Sequence, residues 1–109
     1  MQPFYHEGQV EVDGETLTLV CDFGAIVAIE GVTGMNWDDI VPQLASPSRT
    51  LSVQVLWGLL RRKHEGVTLD QAAGVAFGES QADVGACMFD VIARACNMIE
   101  TKDEPAKKK

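Results

Sequence analysis

The feature that most constrains this chain is the alternation from Gln9 to Cys21 around Asp13-Gly14. Asp-Gly suits a two-residue type I′ turn, because both central positions of that turn need positive φ. Closing the turn there sets Val12 opposite Glu15 and Val10 opposite Leu17. Val10, Val12, Leu17 and Leu19 then share one face, and Glu11, Thr16 and Thr18 share the other. A register that pairs apolar with apolar is strongly specified. An isolated hairpin is marginal in water, so helices or a partner must cover its apolar face.

Beyond the hairpin the pattern turns helical. Asp22 can cap a helix starting at Phe23, with Ala25, Ile26, Ile29 and Val32 at helical spacing and Gly34 closing it. Asn36 is placed to cap a short helix near Trp37–Val41, with Asp38 and Asp39 in the first turn, where the helix dipole favours negative charge. Pro42 either sits in that first turn or ends the segment. Residues 45–49 read as a loop. Ser48 or Thr50 then starts a long apolar helix that runs into Arg61-Arg62-Lys63-His64 and stops at Gly66. Thr68 and Gln71 form a capping-box pattern for a short helix through Phe77, ended by Gly78. Ser80 opens the last helix, about residues 81–100, with Val84, Met88, Val91, Ile92, Ala95 and Ile99 on one stripe. Residues 1–8 have no period and read as a flexible start, and 102–109 as a disordered lysine-rich tail. The expectation is a single α+β domain over 9–101: an N-terminal β-hairpin followed by a four- to five-helix bundle, mostly α. The absence of βαβ alternation removes Rossmann-like and P-loop folds.

At 109 residues the chain has room for one ordinary core. Its net charge is −7, and the tail at 102–109 is locally basic, so the rest is more acidic still. An acidic body repels phosphate backbones, which argues against nucleic acid as partner. No apolar run approaches the roughly 18 residues of a membrane span, and the start Met1-Gln2-Pro3-Phe4-Tyr5-His6 does not read as a secretory signal. Cys21, Cys87 and Cys96 read as reduced, half-buried thiols. On one helix Cys87 and Cys96 point to opposite faces, so they can neither bridge nor share a metal.

Chemistry-bearing patterns are few. Gly31-Val-Thr-Gly34 lacks the Lys-Ser/Thr of a phosphate loop and lies at a helix C-terminus, which repels phosphate. His6 and His64 are far apart and no CxxC occurs, so no metal site is expected. Asp13-Gly14-Glu15 is a turn rather than a calcium loop. Nothing in the sequence brings His64 to a cysteine to form a nucleophilic dyad. Glu30, among Ile26, Ile29 and Val32, is either half-buried and paired with a base such as Arg61, or a solvated helix edge. Arg61-Arg62-Lys63 suits a helix C-terminus. No catalytic, cofactor-binding or metal-binding residue is assigned. The expectation is a binding or assembly role rather than an enzyme.

Two segments carry a family resemblance. Val10–Leu19, then Asp22-Phe-Gly-Ala-Ile-Val-Ala-Ile-Glu30, then Thr33-Gly34, resembles the start of the gene-transfer-agent-type phage tail assembly chaperones. Leu56-Trp-Gly-Leu-Leu-Arg61 followed by Val67-Thr-Leu-Asp70 is similar to their Trp-containing helix and the helix start after it. Together these span roughly residues 9–75. The resemblance implies a non-enzymatic, cofactor-free role in the cytoplasm of a bacterial host. The protein of such a phage, prophage or gene transfer agent coats the tape measure protein before tail tube subunits polymerise around it during virion morphogenesis. Tape measure protein and tail tube protein are the implied partners. On that reading the contact surface is expected on apolar residues left over from the core: Trp37, Ile40, Leu44, Met88 and Phe89. Self-association through the open hairpin edge is compatible with the pattern. The alternative is a structural virion component, a tail-tube or head–tail joining protein.

Overall fold

A computed structural model describes residues 5–101, with side chains through residue 96. Strands β1 (Tyr5–Val12) and β2 (Glu15–Asp22) form an antiparallel hairpin. Asp13 and Gly14 both have positive φ (54° and 80°), as a type I′ turn requires. Val12 pairs with Glu15 and Val10 with Leu17, in the register expected from the alternation. The ladder continues further than expected, to Tyr5 opposite Asp22, so residues 5–8 are strand rather than flexible start. The rest of that start, the tail at 102–109 and the side chain of Ile99 lie outside the described residues.

Five α-helices follow: α1 (Phe23–Thr33), α2 (Trp37–Ile40), α3 (Arg49–Leu60), α4 (Leu69–Ala76) and α5 (Gln81–Thr101). A 3₁₀ turn over Val41–Ala45 continues α2, with Pro42 in its first turn, where proline's missing N–H costs nothing. The architecture is the α+β hairpin-plus-helices expected, mostly α.

The caps show why each helix starts where it does. Asp22 accepts a hydrogen bond from the Ala25 N–H at 2.8 Å, and Ser48 accepts from the Leu51 N–H at 3.1 Å. The Thr68–Gln71 capping box is complete, with reciprocal bonds of 3.0 and 2.9 Å. One cap differs. Asn36 makes no side-chain capping bond; the Glu30 carboxylate instead accepts from the Trp37 N–H at 2.7 Å. Glu30 is thus half-buried, but its partner is the start of α2 and not Arg61. The long helix also stops earlier than expected, at Leu60, so Arg61, Arg62 and Lys63 follow α3 rather than form its last turn.

The core is built where the hairpin's apolar face meets α5, α3 and α1. Leu19, Cys21, Ile29, Val55, Leu56, Leu59, Val91 and Ala95 are fully excluded from solvent. Two glycines set how closely the layers approach. A Cβ at Gly8 would come within 2.7 Å of Val91 Cγ2 and 3.1 Å of Cys87 Sγ, so glycine lets α5 lie on β1. A Cβ at Gly58 would overlap Ile29 Cγ1 and sit 3.0 Å from its Cδ1, so α3 touches α1 at a point where no larger residue fits. The outer edge of β2 is covered from the end of α3, where His64 Nε2 accepts the Thr18 N–H at 3.1 Å.

Candidate interaction surface

The stripe expected on α5 is buried as far as its side chains are described: Val84, Val91, Ile92 and Ala95 enter the core and Met88 packs against it. A second line of small or apolar residues runs beside that stripe: Ala82, Gly85, Phe89, Ala93 and Cys96, at spacings of three or four. This line faces a groove. The opposite wall is formed by Leu44 and Pro47 near the 3₁₀ turn, by Leu56 of α3 and by Phe77 at the end of α4. The larger part of the groove holds about 510 Å³. A smaller part of about 330 Å³ adjoins it, lined by Val41, Pro42, Leu44, Phe89, Ile92 and Cys96 among others. Leu44, Phe89 and Ile92 belong to both parts and join them into one apolar channel along α5.

Among the described residues, the channel's lining holds no Asp, Glu, Lys, Arg or His, and its polar side chains besides the Cys96 thiol are Ser52 and Gln81. The chain as a whole is 23% charged, so this stretch is a marked departure. Phe89 is 60% exposed and Phe77 43% exposed, and both stand at the channel. A concave apolar surface with exposed aromatics is the ordinary form of a site for another molecule.

Of the five residues expected to form the contact surface, three line this channel: Leu44, Met88 and Phe89. The other two do not. Ile40 is fully buried and Trp37 only 9% exposed; both belong to the core cluster, so neither is free to meet a partner. Their helix is four residues long, and the Glu30 cap and the turn after α1 fold it inward. Sequence reasoning missed Phe77 and Pro47. The periodicity places Phe77 inside α4, but it lies one residue past the helix, where its ring is no longer held to the core. The Ala82–Gly85–Phe89–Ala93 line is the signal that marks the channel side, a second periodic face on α5.

The remaining chemistry-bearing residues are absorbed by the fold. Arg62 Nη1 pairs with Asp22 Oδ2 at 2.7 Å, and Arg61 lies over the Trp57 ring at 5.6 Å from its centroid. Trp57 in turn donates its indole N–H to the Val67 carbonyl at 3.0 Å. Two members of the basic trio therefore have structural partners. Arg94 pairs with Asp90 at 3.1 Å and donates to the Glu7 carbonyl at 2.9 Å, tying α5 to β1. No disulfide joins the three cysteines: Cys87 faces the hairpin beside Gly8, while Cys96 lies at the end of the channel. Burial first, then the nearby Cys96 and Asp22, push the Cys21 thiol up to about 12. Burial also raises Cys87, with Asp90 adding to it and Arg94 opposing. Raised thiols are poor nucleophiles at neutral pH. Among the described residues, no three His, Cys, Asp or Glu side chains gather as a metal set, and no helix is long and apolar enough to cross a membrane. Comparison with protein-family models, with curated proteins and with solved structures gives no match to this chain.

Proposed function

We propose that this chain is a non-enzymatic tail assembly chaperone that binds the tape measure protein during tail morphogenesis in the bacterial cytoplasm. The observation that carries this reading is the apolar channel along α5, with Phe77 and Phe89 exposed on it. The sequence resemblance over residues 9–75 supplies the partner. A long helical tape measure exposes apolar stripes that aggregate when bare. A small acidic protein that covers such a stripe also adds mutual repulsion between coated segments. The net charge of −7 suits that task.

The test is co-expression with the tape measure protein encoded at the same locus, followed by affinity purification. Co-purification with improved tape-measure solubility is the expected result. A tape measure that stays insoluble and unbound refutes the reading. Presence of the chain in purified particles, with ring formation, favours a tail-tube or head–tail joining protein instead, since a chaperone leaves before maturation.

A further inference from the structure

We infer that His64 is a pH-operated latch on the outer edge of β2: while neutral it covers the Thr18 N–H, and once protonated it leaves that N–H to solvent and turns to the Glu15 and Glu65 carboxylates. The inference is independent of what the chain binds.

The geometry starts from the register of the hairpin. Val12 and Glu15 flank the two-residue turn, so they form a hydrogen-bonded pair, and the pairs alternate from there. Val10–Leu17 and Gly8–Leu19 are then hydrogen-bonded pairs, and Gln9–Thr18 is not. The Thr18 N–H therefore points away from β1, to the outer edge of the sheet. An N–H at an edge has no strand to bond to, and a half-buried one costs free energy when left unmade. His64 supplies the acceptor. Its Nε2 lies 3.1 Å from the Thr18 nitrogen, across 46 residues of chain.

A backbone N–H can only donate, so Nε2 must accept. That fixes the ring as neutral, with its proton on Nδ1. The imidazolium carries N–H groups on both nitrogens and has no acceptor. Protonation therefore does more than weaken the contact, because it sets one N–H against another. Histidine is the side chain that ordinarily changes charge between about pH 5 and 8.

The surroundings offer the charged ring a second position. A cavity of about 320 Å³ lies beside His64, with Leu17, Leu60, Val67 and Val75 in its lining. The charged residues in that lining are Glu15, at the start of β2, and Glu65, the next residue along the chain. Both are exposed, and among the described residues neither carboxylate has a hydrogen bond or an ion pair. The bordering helices add no titratable group: Leu60 comes from α3, and Gln71 and Val75 from α4. Of the basic trio before His64, Arg61 lies over Trp57 and Arg62 pairs with Asp22, and none of the three lines the cavity. A positive ring turned into this space meets carboxylates. The backbone that carries it stays anchored. The His64 N–H donates to the Leu60 carbonyl at 2.9 Å, and the Trp57 indole N–H donates to the Val67 carbonyl at 3.0 Å. The movement is that of the ring, and what it uncovers is the β2 edge at Thr18.

The test is an NMR titration of the full chain from about pH 8 to about pH 5. The Thr18 amide proton should move upfield in one step, with the same midpoint as the His64 ring signals. The protection of that amide against hydrogen exchange should fall about two- to tenfold across the step, the worth of one hydrogen bond. The Leu17 and Leu19 N–H groups bond to β1 and should keep their protection, which separates release of the edge from loss of the fold. Below the step the ring should show cross peaks to Glu15 or Glu65 side-chain protons. In His64→Gln the Thr18 amide should show no step. A Thr18 amide that stays put while the His64 ring titrates overturns the inference. So does a step that follows the His6 ring instead, a step that persists in His64→Gln, or a protonated ring that remains beside Thr18. Equal loss of protection at Leu17 and Leu19 also overturns it, because the sheet then opens as a whole.

Discussion

Gly31 and Gly58 form a matched pair from which the packing can be tested. Each is the third residue from the end of its helix, in α1 and α3 respectively. In an exposed helix position, Gly→Ala stabilises by about 1 kcal/mol, because the unfolded chain loses freedom and the helix loses none. Gly31 is exposed and a Cβ there meets nothing within 4 Å, so Gly31→Ala should approach that gain. At Gly58 the same methyl overlaps Ile29 Cγ1, with Cδ1 at 3.0 Å and the Ala25 carbonyl at 3.5 Å. Ile29 is fully buried, so making room for the methyl disturbs the core around it. Overpacking of this kind costs about 1–3 kcal/mol. Set against the same propensity gain, Gly58→Ala should lie between neutral and about 2 kcal/mol destabilising. The two substitutions therefore differ by about 1–3 kcal/mol despite identical chemistry. Urea unfolding followed by circular dichroism resolves this, with unchanged m-values showing that the surface exposed on unfolding is the same in each variant. A cycle with Ile29→Ala tests the cause. That substitution alone leaves a cavity costing about 2–5 kcal/mol. In the Gly58→Ala background the new methyl enters that cavity, so the pair should cost at least about 1 kcal/mol less than the sum. If Gly58→Ala stabilises as Gly31→Ala does, α1 and α3 do not meet at this glycine, and the packing described between them is wrong.

Other substitutions test the caps and the buried thiol. Asp22 both caps α1 and pairs with Arg62, whose side chain is more than half exposed. Asp22→Asn keeps the capping oxygen and should cost under about 1 kcal/mol, whereas Asp22→Ala should cost about 1–2, as read by thermal melts. Glu30→Ala removes the acceptor for the Trp37 N–H and should cost about 1–2 kcal/mol, with faster hydrogen exchange at Trp37; Glu30→Gln should recover part of it. For Cys21, the folded thiol ionises near 12 against an ordinary value of 9.0. Between those values the unfolded chain has lost a proton that the folded chain keeps, so stability falls as pH rises, with a slope of up to about 1.4 kcal/mol per pH unit. The stability difference between wild type and Cys21→Ala should therefore narrow from pH 9 upward and be flat below it; a difference that does not change above pH 9 refutes the burial argument.

The parts of this fold that were legible in sequence are those fixed by neighbours in the chain. The Asp13-Gly14 turn, the Asp22 cap and the Thr68–Gln71 box each depend on residues no more than three apart. The hairpin register followed from the turn plus a period of two. What was not legible depended on contacts made only after folding. Residues 5–8 gave no strand signal because the inward positions are His6 and Gly8. Gly8 is small for a tertiary reason, the approach of Val91 and Cys87 from α5. Glu30 reaches across the Gly34 turn to Trp37, seven residues away, where no local capping rule looks. Four residues in α2 are too few to show which face is apolar, so Trp37 and Ile40 could not be told from surface. Met88 and Phe89 both line the channel but differ in depth. Neighbours on a helix point about 100° apart, so with Met88 half-buried against the core, Phe89 stands more exposed on the channel.

The same geometry decides which exposed apolar residues matter for binding. Outside the channel, Phe23 and Val27 are 63% and 66% exposed on the outer side of α1, more than Phe89. Exposure alone would rank them first. Gly31 shares that side of the helix, and a Cβ there meets nothing within 4 Å, so it offers no wall for a side chain bound at Val27 to rest on. Single exposed apolar residues are normal on a protein surface and mark no site by themselves. Phe89 differs because Leu44, Phe77 and Ile92 stand around the same hollow, so a side chain placed there is enclosed on several sides. Enclosure, not exposure, makes an anchor. Val27→Lys should accordingly leave partner binding within about twofold of wild type and should not destabilise α1, since Lys forms helix at least as well as Val. Phe89→Asp, at a less exposed position, should abolish binding. Loss of binding by Val27→Lys with the fold intact would move the interaction surface to α1 and leave the channel without its assigned role.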